Sequence, residues 1–153
     1  MGYFFLSLFV YTTVALAVEA SFTSVGYQIL AAWRRQKIDW QLPSRTSIWA
    51  LPVYGLSATA SFLFVGRYAP GFFDLAWPIR GLIYMLVIYA WELYWGLFTE
   101  SLVGRCPWEY FGSGPRVFRY INPYYVVFWF GFGFLLERIH LHLIPLLATL
   151  FLN

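Results

Sequence analysis

A small all-α bundle of four transmembrane helices is the fold class this chain predicts, and three observations lead to it. Hydrophobic residues make up 61% of the 153 and charged residues only 11%, whereas a soluble domain carries about 25% charged residues. Too few polar groups remain to coat a surface that faces water. The charges that do occur gather mostly between long apolar stretches. Aromatic residues reach 24%, with Phe the commonest, which suits lipid contact and anchoring at membrane interfaces. One transmembrane domain covering 1–153 is therefore expected.

The spans follow in order from the requirement that roughly 20 apolar residues cross a bilayer core of about 30 Å as a helix. The first, 3–33, is longer than needed and has Glu19 as its only charge, so it is expected to tilt or project. Ala15-Leu16-Ala17 resembles a signal-peptidase site, but no basic segment precedes it and the apolar pattern continues to Trp33. A retained first helix is expected. Gly2 does not suit myristoylation, because Leu6 stands where Ser or Thr is needed. The second span, 46–66, is free of charge and interrupted only by Pro52, a candidate kink. The third, 78–103, carries Arg80 near its start, Glu92 inside and Glu100 near its end. The fourth, 120–144, carries Glu137, Arg138 and His140, and Pro145 is expected to end or bend it.

Orientation follows from the basic residues. Loops 34–45 and 104–119 fall on one side and hold Arg34, Arg35, Lys37, Arg45, Arg105, Arg116 and Arg119, against Arg67 and Arg80 on the other. Basic loops mark the cytoplasmic side, so both termini are expected to be extracytoplasmic, or lumenal in an organelle. Trp33, Trp40, Trp77, Trp108, Tyr120, Tyr124 and Tyr125 lie near the proposed boundaries, as an aromatic belt requires. Neither basic cluster resembles a nucleic-acid patch, and no nucleic-acid partner is expected.

The most informative residues are Glu19, Glu92 and Glu137, each deep inside a different apolar span. A carboxylate in lipid is costly, so it faces protein, a partner or a water-filled path. Counting about 1.5 Å per residue from the basic-loop ends places Glu19 and Glu137 at similar depth and Glu92 nearer the midplane. Tyr54, Tyr84, Tyr89 and Trp95 offer hydrogen-bond donors at comparable depths, and Arg80 enters from the outer side within reach of an acidic partner. Small residues mark expected helix contacts. These are Ser57 and Ser61 in the second span, Gly131 and Gly133 in the fourth, and the stripe Thr12, Ala15, Glu19, Thr23 and Gly26 in the first. The functional reading is a polar pathway or pocket in which carboxylates bind a cation or carry protons. The competing reading locks them to Arg, Tyr or backbone groups and makes them determinants of packing.

Glu137 and His140 form a Glu-x-x-His pair, the spacing used in di-iron bundles, but such sites need a second pair that this chain lacks. His140 is then an interfacial histidine near a helix end, and no metal or other cofactor is expected. The single cysteine, Cys106, excludes an intrachain disulfide and a Cys-rich zinc or iron–sulfur site. It opens a loop motif, Cys106-Pro107-Trp108-Glu109-Tyr110, followed by Gly112, Gly114 and Pro115, whose composition suits a tight non-helical loop. A nucleotide-binding phosphate loop, a Gly-x-Ser-x-Gly elbow and a His-Glu-x-x-His motif are all absent from the sequence.

Taken together, Glu19 with Phe22-Thr23, the run 46–51 with Tyr54-Gly55, Ile83-Tyr84, Trp91-Glu92 with Gly96, the Cys-Pro-Trp-acid-Tyr loop, Trp129 and Glu137 resemble the transmembrane protein 229 family. That family is also labelled as ABC-transporter type IV permeases. Glu109 stands where the pattern has Asp, and 111–122 matches poorly. The resemblance implies a four-helix integral membrane protein and no defined activity. The leading expectation is a permease-like or channel-like protein working as a homo-oligomer or with partners in the lipid bilayer. In it Glu19, Glu92 and Glu137 line a polar site, Tyr54, Tyr84 and Arg80 position them, and His140 stands beside Glu137. An accessory subunit of a larger membrane complex comes second. A membrane enzyme acting on a lipid-borne substrate comes third.

Overall fold

The structure is a computed structural model and describes residues 1–37, 39, 41, 46–108 and 117–152. Trp40, Arg45, Glu109, Tyr110, Gly112, Gly114, Pro115 and Arg116, named above for the basic loops, the aromatic belt and the loop motif, lie outside the described residues. Every regular element among the described residues is helical.

Helix α1, Gly2–Trp33, is one uninterrupted rod, as its apolar run without Pro allows. It stops in a six-residue closing turn. Arg35 adopts a left-handed φ of 55°, the Arg35 amide donates to the Ala32 carbonyl and the Gln36 amide to the Ala31 carbonyl. These two bonds satisfy carbonyls that the helix end would leave open.

The second expected span begins later than its sequence suggests. A π-helical turn, Leu51–Leu56, runs into helix α2, Ser57–Tyr68. Pro52 sits in the first turn of this segment, where its missing N–H costs nothing, so it starts the helix instead of kinking it. A 3₁₀ turn, Pro70–Asp74, leads to helix α3, Trp77–Val103. That helix ends at Gly104, whose φ of 79° is the conformation glycine adopts without steric cost.

After the short helix α4, Val117–Tyr120, the last part of the chain forms one continuous rod, Pro123–Phe151. It consists of a 3₁₀ turn Pro123–Tyr125, helix α5 Val126–Arg138, a π turn Ile139–Leu143 and helix α6 Ile144–Phe151. The expected stop at Pro145 is corrected. The π turn widens the helix directly before the proline and accommodates its missing donor, so the rod continues.

Three of these helices, α1, α3 and the C-terminal rod, are long and apolar enough to cross a membrane. The segment from Leu51 to Tyr68 is not among them.

Two close pairings organise the bundle. The α3 and α5 helices approach through glycines: Gly133 lies against Tyr84 and Gly81 against the Phe130 ring, while Gly96, farther along α3, lies against the Tyr120 ring. The α1 helix lies along the π turn, where Gly55 meets Thr12 and Leu8, and it also touches α6. Tyr11, Ala15, Phe62, Tyr84, Trp129 and Leu136 are among the residues of the shared core.

By contrast, α2 and α3 are not closely packed although they are consecutive. Two indoles span the distance between them: Trp91 Nε1 donates to Ser61 Oγ at 2.9 Å and Trp95 Nε1 to Ser57 Oγ at 2.8 Å. Ser57 and Ser61 therefore accept long side chains across a gap instead of admitting a close helix. Gly131 and Gly26 face open space and mark no contact, whereas Gly133 does.

Candidate functional site

The three glutamates of the long apolar helices fall into three different settings. Glu137, 2% exposed, is held by two residues near the start of α3. Arg80 Nη2 donates to its Oε1 at 3.2 Å, and Arg80 Nε stands 3.0 Å from its Oε2, a charge contact without an aligned hydrogen bond. Tyr84 Oη donates to Oε2 at 2.5 Å. The other arm of the guanidinium, Nη1, donates to the Phe73 and Leu75 carbonyls at 2.5 and 2.8 Å. The group also lies 5.8 Å from the Phe134 ring centre. One arginine thus ties the turn before α3 to the last rod, and both oxygens of Glu137 are engaged by protein donors.

A second clamp of the same composition sits at the other end of α3. Arg119 Nη1 donates to Glu100 Oε1 at 3.2 Å, and the Tyr120 hydroxyl donates to Glu100 Oε2. The polarity is reversed: α3 supplies Arg and Tyr to one clamp and Glu to the other. Sequence reading singled out Glu100 only as a charge near a span end, and Arg119 only as a loop cation.

Glu92 is buried at 6% exposure and lines a cavity of about 540 Å³ between α2 and α3. The lining is almost wholly apolar, with Phe62, Val65, Ile83, Val87 and Phe132 among its walls, and Ser57, Ser61, Trp91 and Tyr54 near the carboxylate's part of the chain. This volume lies within the range of small-molecule pockets, about 300–1,000 Å³. The cavity is partly open, and its lining includes the exposed side chains of Phe64 and Val87. Two indole bridges cross from α3 to α2 beside this chamber, and Ser57, Ser61 and Trp91 are part of its wall.

Glu19 belongs to a smaller cavity of about 140 Å³, lined also by Phe22, Thr23, Trp108 and Tyr125. Its Oε2 accepts a hydrogen bond from Thr46 Oγ1 at 2.8 Å. Ala15, Tyr54, Trp129 and Phe132 line both cavities. Tyr54 thus stands in the wall between the Glu92 and Glu19 compartments.

Equal depth for Glu19 and Glu137 is corrected. Glu137 meets the first residues of α3, while Glu19 shares its cavity with Trp108, beyond the last residue of α3. The count failed because α1 is 32 residues long and its last turns project past the bundle, leaving Ile29 and Trp33 exposed.

His140 does not join Glu137. It falls in the π turn, stacked on Phe62 at 4.9 Å and near Phe73 at 6.1 Å, and its buried Nδ1 has no hydrogen-bond partner. Among the described residues no three His, Cys, Asp or Glu side chains group as metal ligands would. In the loop motif, Cys106 is buried, Pro107 is exposed, and Trp108 Nε1 donates to the Tyr120 carbonyl at 3.3 Å. Trp108 thus fastens the loop to the end of α4.

The indole bridges were missed by sequence reasoning, although a signal was present. Ser57 and Ser61, and Trp91 and Trp95, have the same four-residue spacing, which aligns two pairs across antiparallel helices. Compared with known proteins, the chain matches no family model, and no solved structure matches it.

Proposed function

We propose that this chain is a small permease-like membrane protein in which the Glu92 chamber is the substrate site and the Glu19 cavity a second station. One observation carries the reading: a buried carboxylate lines a chamber whose other walls are mostly hydrocarbon. Such a group holds a cation or a hydrogen-bond donor strongly, because little water competes for it. Tyr54, in the wall between the two cavities, is the residue whose side-chain movement would join them. The resemblance to the transmembrane protein 229 family fits a permease-like role. Glu137 takes a different part. Engaged by Arg80 and Tyr84, it fixes the last rod against α3.

In this proposal the segment from Leu51 to Tyr68 completes a fourth crossing, shorter than the others and held by α1. The basic loops face the cytoplasm and both termini face away from it. The protein works as a homo-oligomer or with partner subunits, because a single protomer encloses little.

The test is flux through purified protein in liposomes, read with monovalent-cation and proton indicators. Glu92→Gln and Glu19→Gln should lower flux without changing the elution profile in detergent, while Glu137→Gln should first disturb assembly. Normal flux in both Glu92→Gln and Glu19→Gln sinks the proposal. The accessory-subunit reading is favoured by the engagement of both Glu137 oxygens by Arg80 and Tyr84, an arrangement suited to packing. Native mass spectrometry after gentle extraction separates the two, since a stable assembly with other proteins and no flux would support the subunit.

A further inference from the structure

We infer that two copies of this chain associate through a two-fold charge exchange, in which Arg138 of each protomer pairs with Asp74 of the partner subunit. The inference rests on the homo-oligomer proposed for this chain and gives it a contact surface. It is independent of what the Glu92 chamber binds.

Both residues are exposed. Arg138 stands near the middle of the rod Pro123–Phe151, which is 29 residues long. Its Nη1 lies 3.4 Å from His142 Nε2, and among the described residues no carboxylate meets it. A guanidinium has five N–H donors, so His142 leaves most of them open. A cation midway along a membrane-length helix is costly without a partner. Among the described acids, Glu19, Asp39, Glu100 and Glu137 accept hydrogen bonds and Glu92 is engaged. The Asp74 carboxylate has neither a hydrogen bond nor an ion pair.

Arg80 sets the two residues side by side. Its Nη1 donates to the carbonyls of Phe73 and Leu75, which flank Asp74, and its Nη2 donates to Glu137, the residue before Arg138. Phe130, Phe134 and Arg138 recur at four-residue spacing in α5 and share one row of the rod. The first turn of α3 lies along that row. Trp77 meets the Phe130 ring edge-on at 6.0 Å, and the Arg80 guanidinium stands 5.8 Å from the Phe134 ring centre. Leu75, Trp77 and Leu135 add exposed apolar surface around the two charges.

A patch with one cation and one anion complements a copy of itself turned through 180°. Two ion pairs then form, and neither protomer keeps a lone charge facing lipid. A phospholipid phosphate would satisfy the arginine and leave the aspartate unmatched.

The experiment measures energy transfer between donor- and acceptor-labelled full-length protomers in phosphatidylcholine vesicles, with the label on Leu152→Cys in a Cys106→Ser background. Arg138→Glu alone and Asp74→Lys alone should each weaken association by about ten-fold or more, because each dimer then holds two like-charge contacts. An equal mixture of the two variants should regain the transfer of the unsubstituted pair, since both contacts are again opposite in charge. Arg138→Gln and Asp74→Asn should weaken association in the same direction and decide the matter where a charge reversal fails to insert. Arg67→Gln, which removes an exposed cation of α2, should leave association unchanged.

Absence of transfer between unsubstituted protomers overturns the inference and the homo-oligomer with it. Transfer that none of the Arg138 and Asp74 variants lowers overturns this interface and leaves a homo-oligomer formed elsewhere. Loss that the mixture does not repair, but the double variant Arg138→Glu/Asp74→Lys does, places the pair inside one protomer and also overturns the inference.

Discussion

At the scale of single residues, the Arg80–Glu137–Tyr84 clamp makes the sharpest demands. Removing the Tyr84 hydroxyl takes one donor from a buried carboxylate, so Tyr84→Phe should cost about 1.5–3 kcal/mol. Glu137→Gln leaves the guanidinium with only carbonyl partners and should cost about 3–5 kcal/mol, the range for breaking a buried pair. Thermal unfolding in detergent measures both. The Arg80→Gln and Glu137→Gln pair should show coupling, the double variant losing less than the two single losses combined. The acidic residue was legible because a charge inside an apolar span has to find a partner, and Arg80 was placed within reach of one. Which glutamate it would choose was not legible. That choice depends on how far α1 projects beyond the bundle, and an apolar run does not reveal where a helix leaves the membrane. Nor was the role of His140 legible, because the π turn rotates it out of register with Glu137.

At the scale of elements, contact between α3 and α5 depends on glycine at particular turns. A Cβ at Gly133 would overlap Tyr84, and one at Gly96 would stand 2.6 Å from the Tyr120 ring. Gly133→Ala should therefore destabilise by about 1–3 kcal/mol through overpacking. Gly131→Ala, facing open space in the same helix, should be neutral or stabilising by about 0.5–1 kcal/mol. The difference in melting temperature between these two variants checks the packing directly. The end of α1 makes an opposite prediction. Arg35 holds a left-handed conformation that costs an L-residue roughly 1–2 kcal/mol, so Arg35→Gly should raise the melting temperature. The long apolar periods made the helices legible. The prolines misled, because their effect depends on position within a turn: Pro52 begins a helix, and Pro145 is absorbed by the π turn before it.

At the scale of the whole molecule, all-helical architecture and three membrane-length helices follow from composition and run length, which the sequence states openly. The chamber does not, since it depends on α2 and α3 standing apart with two indoles reaching across between them. The proposed orientation is checked in a Cys106→Ser background by single cysteines. Tyr68→Cys and Leu152→Cys should react with an impermeant maleimide added outside cells, and Lys37→Cys only after permeabilisation. The opposite pattern would reverse the topology. The clamp between Arg80 and Glu137 also has a meaning in time. The partners are 57 residues apart in the chain, so α3 emerges from the ribosome before the carboxylate that matches its arginine and waits for the last helix to be made. A nascent chain stopped before 126 would hold Arg80 with the Phe73 and Leu75 carbonyls as partners and no carboxylate. Completion of the last rod supplies the carboxylate and with it the tie between the two ends of this 57-residue stretch.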